Sequence, residues 1–282
     1  MATLAWMGAG GTSGDYSVAA NWSTAATPLA GDDVRIPPTS TVAISAGLNQ
    51  SGVAIGDFIV ERGYNQQIGT DATTSALPVY LRVDPNRFEY AGGGLAYLDL
   101  GSAAIDAVVT YTQSAIVGKS GLYLKGSNIS ELSVNSGAVG VAAVATETST
   151  VATATVNGAG ARLTLGEGVS LTTARCYDGT MNLRCSATTL EVYGGTVNIE
   201  EVSAVTNLYM WGGTVNYTSN ANMTNAYLYD GTLDTTAAGV SRTLTTLYHY
   251  DGGTLIYDRD VMTVTNYTPS SGRRVQVSIR EV

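Results

Sequence analysis

Two runs of alternating apolar and polar residues, split by a glycine turn, recur along the second half of the chain. Before the turn, one parity reads Ala174 and Cys176, then Leu190 and Val192, Leu208 and Met210, Ala226 and Leu228, Leu247 and His249. After it, the same parity reads Met181 and Leu183, Val197 and Ile199, Val215 and Tyr217, Leu233 and Thr235, Leu255 and Tyr257. Alternation with period two predicts strands with one buried face. The other parity carries Arg175, Glu191, Tyr209, Tyr227 and Tyr248, then Asn182, Asn198, Asn216 and Asp234. Those side chains are expected to face outward.

The turn glycines Gly179, Gly195, Gly213, Gly231 and Gly253 are spaced 16, 18, 18 and 22 residues apart. Looser members, Gly137 and Gly158, each lie 21 residues before the next. Periods of this size point to a solenoid, and the segments are too short for paired helices. A rung of this length closes with two or three short strands, and rungs stack in parallel about 4.8 Å apart. The expected fold is all-β: a right-handed parallel β-helix with an N-terminal cap, the hand following the usual chirality of parallel connections. One rung cannot bury its apolar side alone, whereas a stack buries a continuous core. A flat single-layer or sandwich sheet is the runner-up, but it would not keep like residues in columns.

The pattern divides the chain into four parts. Residues 1–40 are broken by Gly10-Gly11, Pro28, Gly31 and Pro37-Pro38. They are placed to cover the open strand edge that a solenoid end exposes, with Trp6 and Trp22 as plugs. Residues 41–132 read as irregular early rungs with larger insertions. Residues 133–268 hold the regular rungs, although 138–156 reads as either a thin rung or a loop. Residues 269–282 read as a closing strand, with Val275, Val277 and Ile279 alternating against Gln276, Ser278 and Arg280.

Tyr177, Tyr193, Trp211, Tyr229 and Tyr250 precede the successive turns and are expected to stack outward, ring over ring. Thr180, Thr196, Thr214, Thr232 and Thr254 form a second column beside them. With Tyr209, Tyr227 and Tyr248, the rings make the candidate interaction face, since contiguous exposed apolar surface rich in Tyr and Trp marks interfaces. A purely structural reading competes with this one: the ladder stiffens a corner of the rod. Sugar stacking is a third.

Composition narrows the partners. Charged residues are 13%, net charge is −9, and Lys119 and Lys125 are the only lysines. A nucleic-acid partner is therefore not expected, because phosphate neutralisation needs clustered cations. No stretch approaches the ~18 apolar residues of a membrane span. The opening MATLAWMGAGG has neither the basic nor the long apolar region of an export signal, which implies synthesis in a cytoplasm. Cys176 and Cys185 are too few for a disulfide framework and read as buried free thiols.

Candidate chemistry is sparse. His249 is the only histidine and falls on the inward parity, as a core residue. Glu200 and Glu201 are adjacent, so on a strand they point to opposite faces and make a poor acid pair. Asp178, Asp230 and Asp251 sit in Asp-Gly turns that explain them. Asp258 and Asp260 read as a solvated corner. GTSGDYS and AGGGLAY are glycine-rich but lack the lysine and helix of a phosphate loop. No catalytic residue, cofactor site or metal site is expected.

Trp6, Gly8, Asn21, Trp22, Pro28, Gly31, Asp32, Asp33 and Ile36 form a pattern that resembles the opening of many β-helical surface proteins, adhesin-like bacterial proteins among them. With the pattern set directly behind Met1, and followed by FIVERGYNQQIGT and LPVYLRV, it is similar to structural proteins of tailed bacteriophages. The resemblance covers about the first 85 residues. It implies a non-enzymatic virion component made in the host cytoplasm. A capsid decoration protein is favoured, homotrimeric and bound to the major capsid protein or other virion proteins. The alternatives are a tail fibre or tailspike that recognises or cleaves a host glycan, and a bacterial adhesin-like domain.

Overall fold

The computed structural model describes residues 1–8, 14–71, 77–101, 104–112, 120–144, 146–201, 203–236 and 241–269, and the backbone of 277–279. The chain is an all-β solenoid of about 11 turns, built from parallel strands in one continuous sheet. Strands β1 (Thr3–Ala5), β2 (Asp33–Ile36), β3 (Asn49–Val60) and β4 (Leu81–Tyr90) begin the stack. Shorter strands follow: β5 (Ala96–Asp99), β6 (Ile105–Val109), β7 (Leu122–Lys125), β8 (Ile129–Val134) and β9 (Gly137–Val141). The regular part comprises β10 (Ser149–Leu165), β11 (Val169–Leu183), β12 (Ala187–Val192), β13 (Thr196–Ile199), β14 (Val205–Tyr217), β15 (Met223–Asp234) and β16 (Arg242–Tyr257). β17 (Met262–Pro269) and β18 (Val277–Ile279) each pair in parallel with β16.

One buried column runs the length of the rod. In register, rung on rung, it reads Leu4, Val34, Phe58, Phe88, Ala107, Leu132, Ala154, Ala174, Leu190, Leu208, Ala226 and Leu247. Every member is buried. The next position, Tyr267, belongs to the last rung and is 45% exposed. Parallel stacking places like positions one above another, so an apolar choice in one rung is protected by those on either side. The inward parity is buried throughout β11 to β16, except that Tyr257 is only partly covered.

Each regular rung has a strand, a glycine corner and a second strand. Gly179, Gly195, Gly213 and Gly231 turn the corner at φ between 69° and 85°, the left-handed region where glycine carries no Cβ penalty. Gly253 lies opposite Gly231 in register but outside that region; there the glycine leaves room for Leu228, whose Cγ would sit 2.4 Å from an added Cβ.

The segment 138–156, ambiguous in sequence, supplies β9 and the start of β10. The N-terminal end is closed by backbone pairing. Trp6 and Trp22 form an antiparallel bridge, and Ser23 N–H donates to Ala5 O at 3.0 Å on the side of β1 away from β2. Trp6, Tyr16 and Trp22 are all buried and pack with ring centroids 4.7 to 6.3 Å apart. At the other end, Val277 and Ile279 continue the second strand of the rung; Val275, Gln276 and Arg280 lie outside the described residues. No helix among the described residues is long and apolar enough to cross a membrane.

Candidate interaction face: two aromatic ladders

The corner before each glycine turn carries one aromatic ring per rung, because Cys176, Val192, Met210, Leu228 and His249 stack in register and the rings follow them in sequence. Centroids are 4.7 Å apart for Tyr177–Tyr193 and for Tyr193–Trp211, 5.6 Å for Trp211–Tyr229 and 4.4 Å for Tyr229–Tyr250. All four pairs lie within 18° of parallel. The ring spacing is close to the rung spacing of about 4.8 Å, so backbone pairing and ring stacking reinforce one another.

A second ladder runs beside the first. Tyr209, Tyr227 and Tyr248 stack at 4.7 and 4.6 Å, and Tyr209 also lies parallel to Trp211 at 5.9 Å. In the two preceding rungs the same column is filled by Glu191 and then Arg175, joined at 2.8 Å. The eight candidate residues thus form one surface. Tyr177, Tyr193 and Trp211 are about 40% exposed, and the other five are half-buried. The threonine column lies in register just past the corner. Burial raises the phenol pKa of Tyr193, Tyr227 and Tyr229, and neighbouring groups of the ladder add to it.

This geometry decides what the face offers. Rings stacked along the rod spend their faces on one another. The interior rings, Tyr193, Trp211 and Tyr229, present edges and polar tips outward. Sugar stacking uses a free ring face, so these rings make a poor glycan platform. A flat protein surface can pack against such a row of edges and hydroxyls.

A further ladder was not foreseen as such. Asn216 Nδ2 donates to Asn198 Oδ1 at 2.8 Å, Asn198 Nδ2 to Asn182 Oδ1 at 2.8 Å, and Asn182 Nδ2 to Thr164 Oγ1 at 3.2 Å. Outward parity held, but Asn182 is buried beneath its neighbours. Asn225 and Asn207 repeat the contact on the other strand at 2.9 Å. The signal in sequence was the recurrence of asparagine two residues after the corner threonine.

The scattered chemical candidates resolve as follows. His249 is fully buried; its Nε2 meets Gly253 O at 2.8 Å and its Nδ1 meets the Tyr267 hydroxyl at 3.3 Å. Cys176 and Cys185 are free and buried, and burial pushes their pKa up to about 11 and about 12. Asp178 and Asp230 each accept the N–H of the following glycine at 2.7 Å. Asp258 accepts the Asp260 N–H at 2.8 Å within a turn.

Glu200 and Glu201 correct the sequence reading. They do not point apart: Arg184 Nε lies 3.0 Å from Glu200 Oε2 and 3.8 Å from Glu201 Oε1. The strand ends at Ile199, and Glu201 takes a φ of 58°, so strand parity no longer applies. A hydrogen bond with Glu167 raises the pKa of Glu201.

Sequence reasoning also missed Arg242, two residues before Leu244 on the inward parity. It is buried, donates to Ser219 O at 2.7 Å and to Thr235 O, and lies 5.1 Å from the centre of the Tyr217 ring.

No protein-family model, curated protein or solved structure matches the chain. The fold defines its class, a parallel β-solenoid with an aromatic face.

Proposed function

We propose that this chain is a non-catalytic structural protein of a tailed-bacteriophage particle, a decoration protein of the capsid. It acts as a rigid rod and associates with sister subunits as a homotrimer through the aromatic face. The observation that carries this reading is the pair of ladders. They hold eight rings rigidly in one surface, and their edges offer a broad, preordered contact to protein. Preordered aromatic side chains lose little freedom on association, which is why Tyr and Trp dominate protein contacts. The resemblance of the first ~85 residues to phage structural proteins supports the setting.

The test is to locate and count the chain in purified particles by quantitative mass spectrometry and antibody labelling in electron micrographs. A decoration role requires copies on the head in multiples set by icosahedral symmetry. Tail placement in a few copies, or absence from the particle, would overturn it. Sedimentation tests the face separately. The protein is expected to be a trimer at micromolar concentration, and Trp211→Ala with Tyr229→Ala is expected to yield monomers.

A further inference from the structure

Asn157 and Gly158 sit at the corner of the rung immediately before the aromatic ladders, and theirs is the only Asn-Gly step in the sequence. Val156 and Cys176 are in register, and Asn157 then lies opposite Asp178, the corner residue that follows Tyr177. Here the strand leaves its pairing. On one side β10 pairs with β8 as far as Val156 and resumes with β9 at Ala161; on the other it pairs with β11 as far as Asn157 and resumes at Arg162. Gly158, Ala159 and Gly160 have no register partner on either neighbouring rung. Asn157, Ala159 and Gly160 are exposed, and a Cβ added at Gly160 would meet nothing within 4 Å.

The Asn157 side chain is also untied. Asparagines further along the rod are held: Asn182, Asn198 and Asn216 in one ladder, Asn207 with Asn225 in another, and Asn222 by the Thr243 N–H. Among the described residues the Asn157 amide has no hydrogen-bond partner. Its register partner Asp178 accepts the N–H of the glycine that follows it, as Asp230 does; Asn157 makes no such bond. The glycine itself is imposed by the stacking, since a Cβ at Gly158 would lie 2.0 Å from Asn135 O of the preceding rung. The fold therefore places a glycine directly behind a free, exposed carboxamide.

That arrangement has a chemistry of its own. Glycine has no Cβ to crowd the approach of its nitrogen to the preceding side chain, and the two reacting groups are already joined in one chain. The Gly158 nitrogen gives its proton to water or hydroxide and attacks Cγ of Asn157. The Cγ–Nδ2 bond breaks, ammonia leaves and a cyclic succinimide closes. Water then opens the ring. Cleavage of the Cγ–N bond gives aspartate; cleavage of the bond from the Asn157 backbone carbonyl carbon to that nitrogen gives isoaspartate. The net change is water taken up and ammonia released, with no oxidation or reduction. A backbone locked on both sides would resist the rotation that ring closure requires, whereas this segment is unpaired. Isoaspartate lengthens the backbone by a methylene, which residues outside the pairing can absorb without shifting Val156 or Arg162.

We propose that Asn157 is a self-modification site of the folded protein, converted through a succinimide to isoaspartate and aspartate. The conversion sets a new carboxylate opposite Asp178, beside Tyr177 where the longer ladder ends. It needs water alone and stands apart from the particle role.

The test is to incubate the full chain at mildly alkaline pH, both folded and in guanidinium chloride. Peptide mass mapping follows Asn157, and isoaspartyl methyltransferase marks the isoaspartate. A mass gain of about 1 Da at Asn157 is expected in the folded chain. Its rate should fall within about tenfold of the rate in denaturant, and a more acidic species should appear on ion exchange. Asn157→Gln, whose longer side chain disfavours ring closure, is expected to abolish that species. The comparison of folded and denatured wild-type protein needs no substitution, so misfolding of the variant does not blunt it. An Asn157 that keeps its amide in the folded chain, or reacts more than about tenfold slower than in denaturant, overturns the proposal. An acidic species undiminished in Asn157→Gln does so as well.

Discussion

The indole of Trp211 lies 4.7 Å from the ring of Tyr193 and 11° from parallel. Trp211 also stacks on Tyr229 and Tyr209, so it is the ring where the two ladders meet. Tyr177, at the end of the longer ladder, stacks on Tyr193 alone. Each such pair contributes about 0.5–1.5 kcal/mol beyond area burial. Trp211→Ala is expected to cost about 2–3 kcal/mol and Tyr177→Ala about 1 kcal/mol. Urea denaturation of the two variants measures both. Equal losses would mean that the rings do not act as a stack.

Two glycines separate backbone strain from steric collision. Gly31 has φ 84° and nothing within 4 Å of an added Cβ. Gly213 has φ 72°, and its Cβ would meet Gly194 C and Gly195 O at 2.7 Å. Gly31→Ala is expected to cost about 1–2 kcal/mol, the left-handed penalty alone. Gly213→Ala must also push apart two rungs, and its loss should exceed that of Gly31→Ala by more than about 1 kcal/mol. Thermal denaturation gives the comparison, and equal shifts would contradict the tight corner.

Asn198 sits in the middle of a side-chain ladder, accepting from Asn216 and donating to Asn182. Asn198→Ala strands one partner on each side, so a loss of about 1–3 kcal/mol is expected. Asn225→Ala removes one end of a contact and should cost less. Chemical denaturation of each variant checks the order.

Alternation made these outward asparagines legible, but not their bonds, which depend on inter-rung register. From Ala174 onward the spacing is nearly constant and glycines mark the corners, so columns could be read directly. Earlier, the same column steps unevenly from Val34 to Phe58, Phe88 and Ala107, because insertions of different length interrupt it. Arg82, Asp99 and Lys125 share no sequence motif and come together only through the stacking of β4, β5 and β7. Parity misread Glu200 and Glu201 because it holds within a strand and fails one residue beyond its end.

Glu201 gives the stability a pH signature. Its pKa is raised, first by the hydrogen bond with Glu167. The folded state therefore holds this proton more tightly than the unfolded chain. The stabilisation is fully present below the ordinary glutamate value of about 4.3 and is lost as pH rises through the raised folded value. Glu167→Gln removes the like charge and leaves an amide that can donate to the Glu201 carboxylate. The melting temperature of the variant, relative to wild type, is expected to climb as pH increases from about 4 toward neutrality. A flat or falling difference would contradict the pairing.

The decisive measurement concerns the stack itself. Thr172, Thr188, Thr206, Thr224 and Thr245 are exposed, and each follows a residue of one registered column: Leu171, Ala187, Val205, Met223 and Leu244. Spin labels at Thr172, paired in turn with labels at Thr206, Thr224 and Thr245, report the distance along the rod by electron–electron resonance. The buried native thiols are replaced by alanine in these samples. Parallel rungs in register require distances that grow by about 4.8 Å per rung, reaching about 19 Å at Thr245. Distances that do not rise in equal steps would contradict the parallel, in-register solenoid.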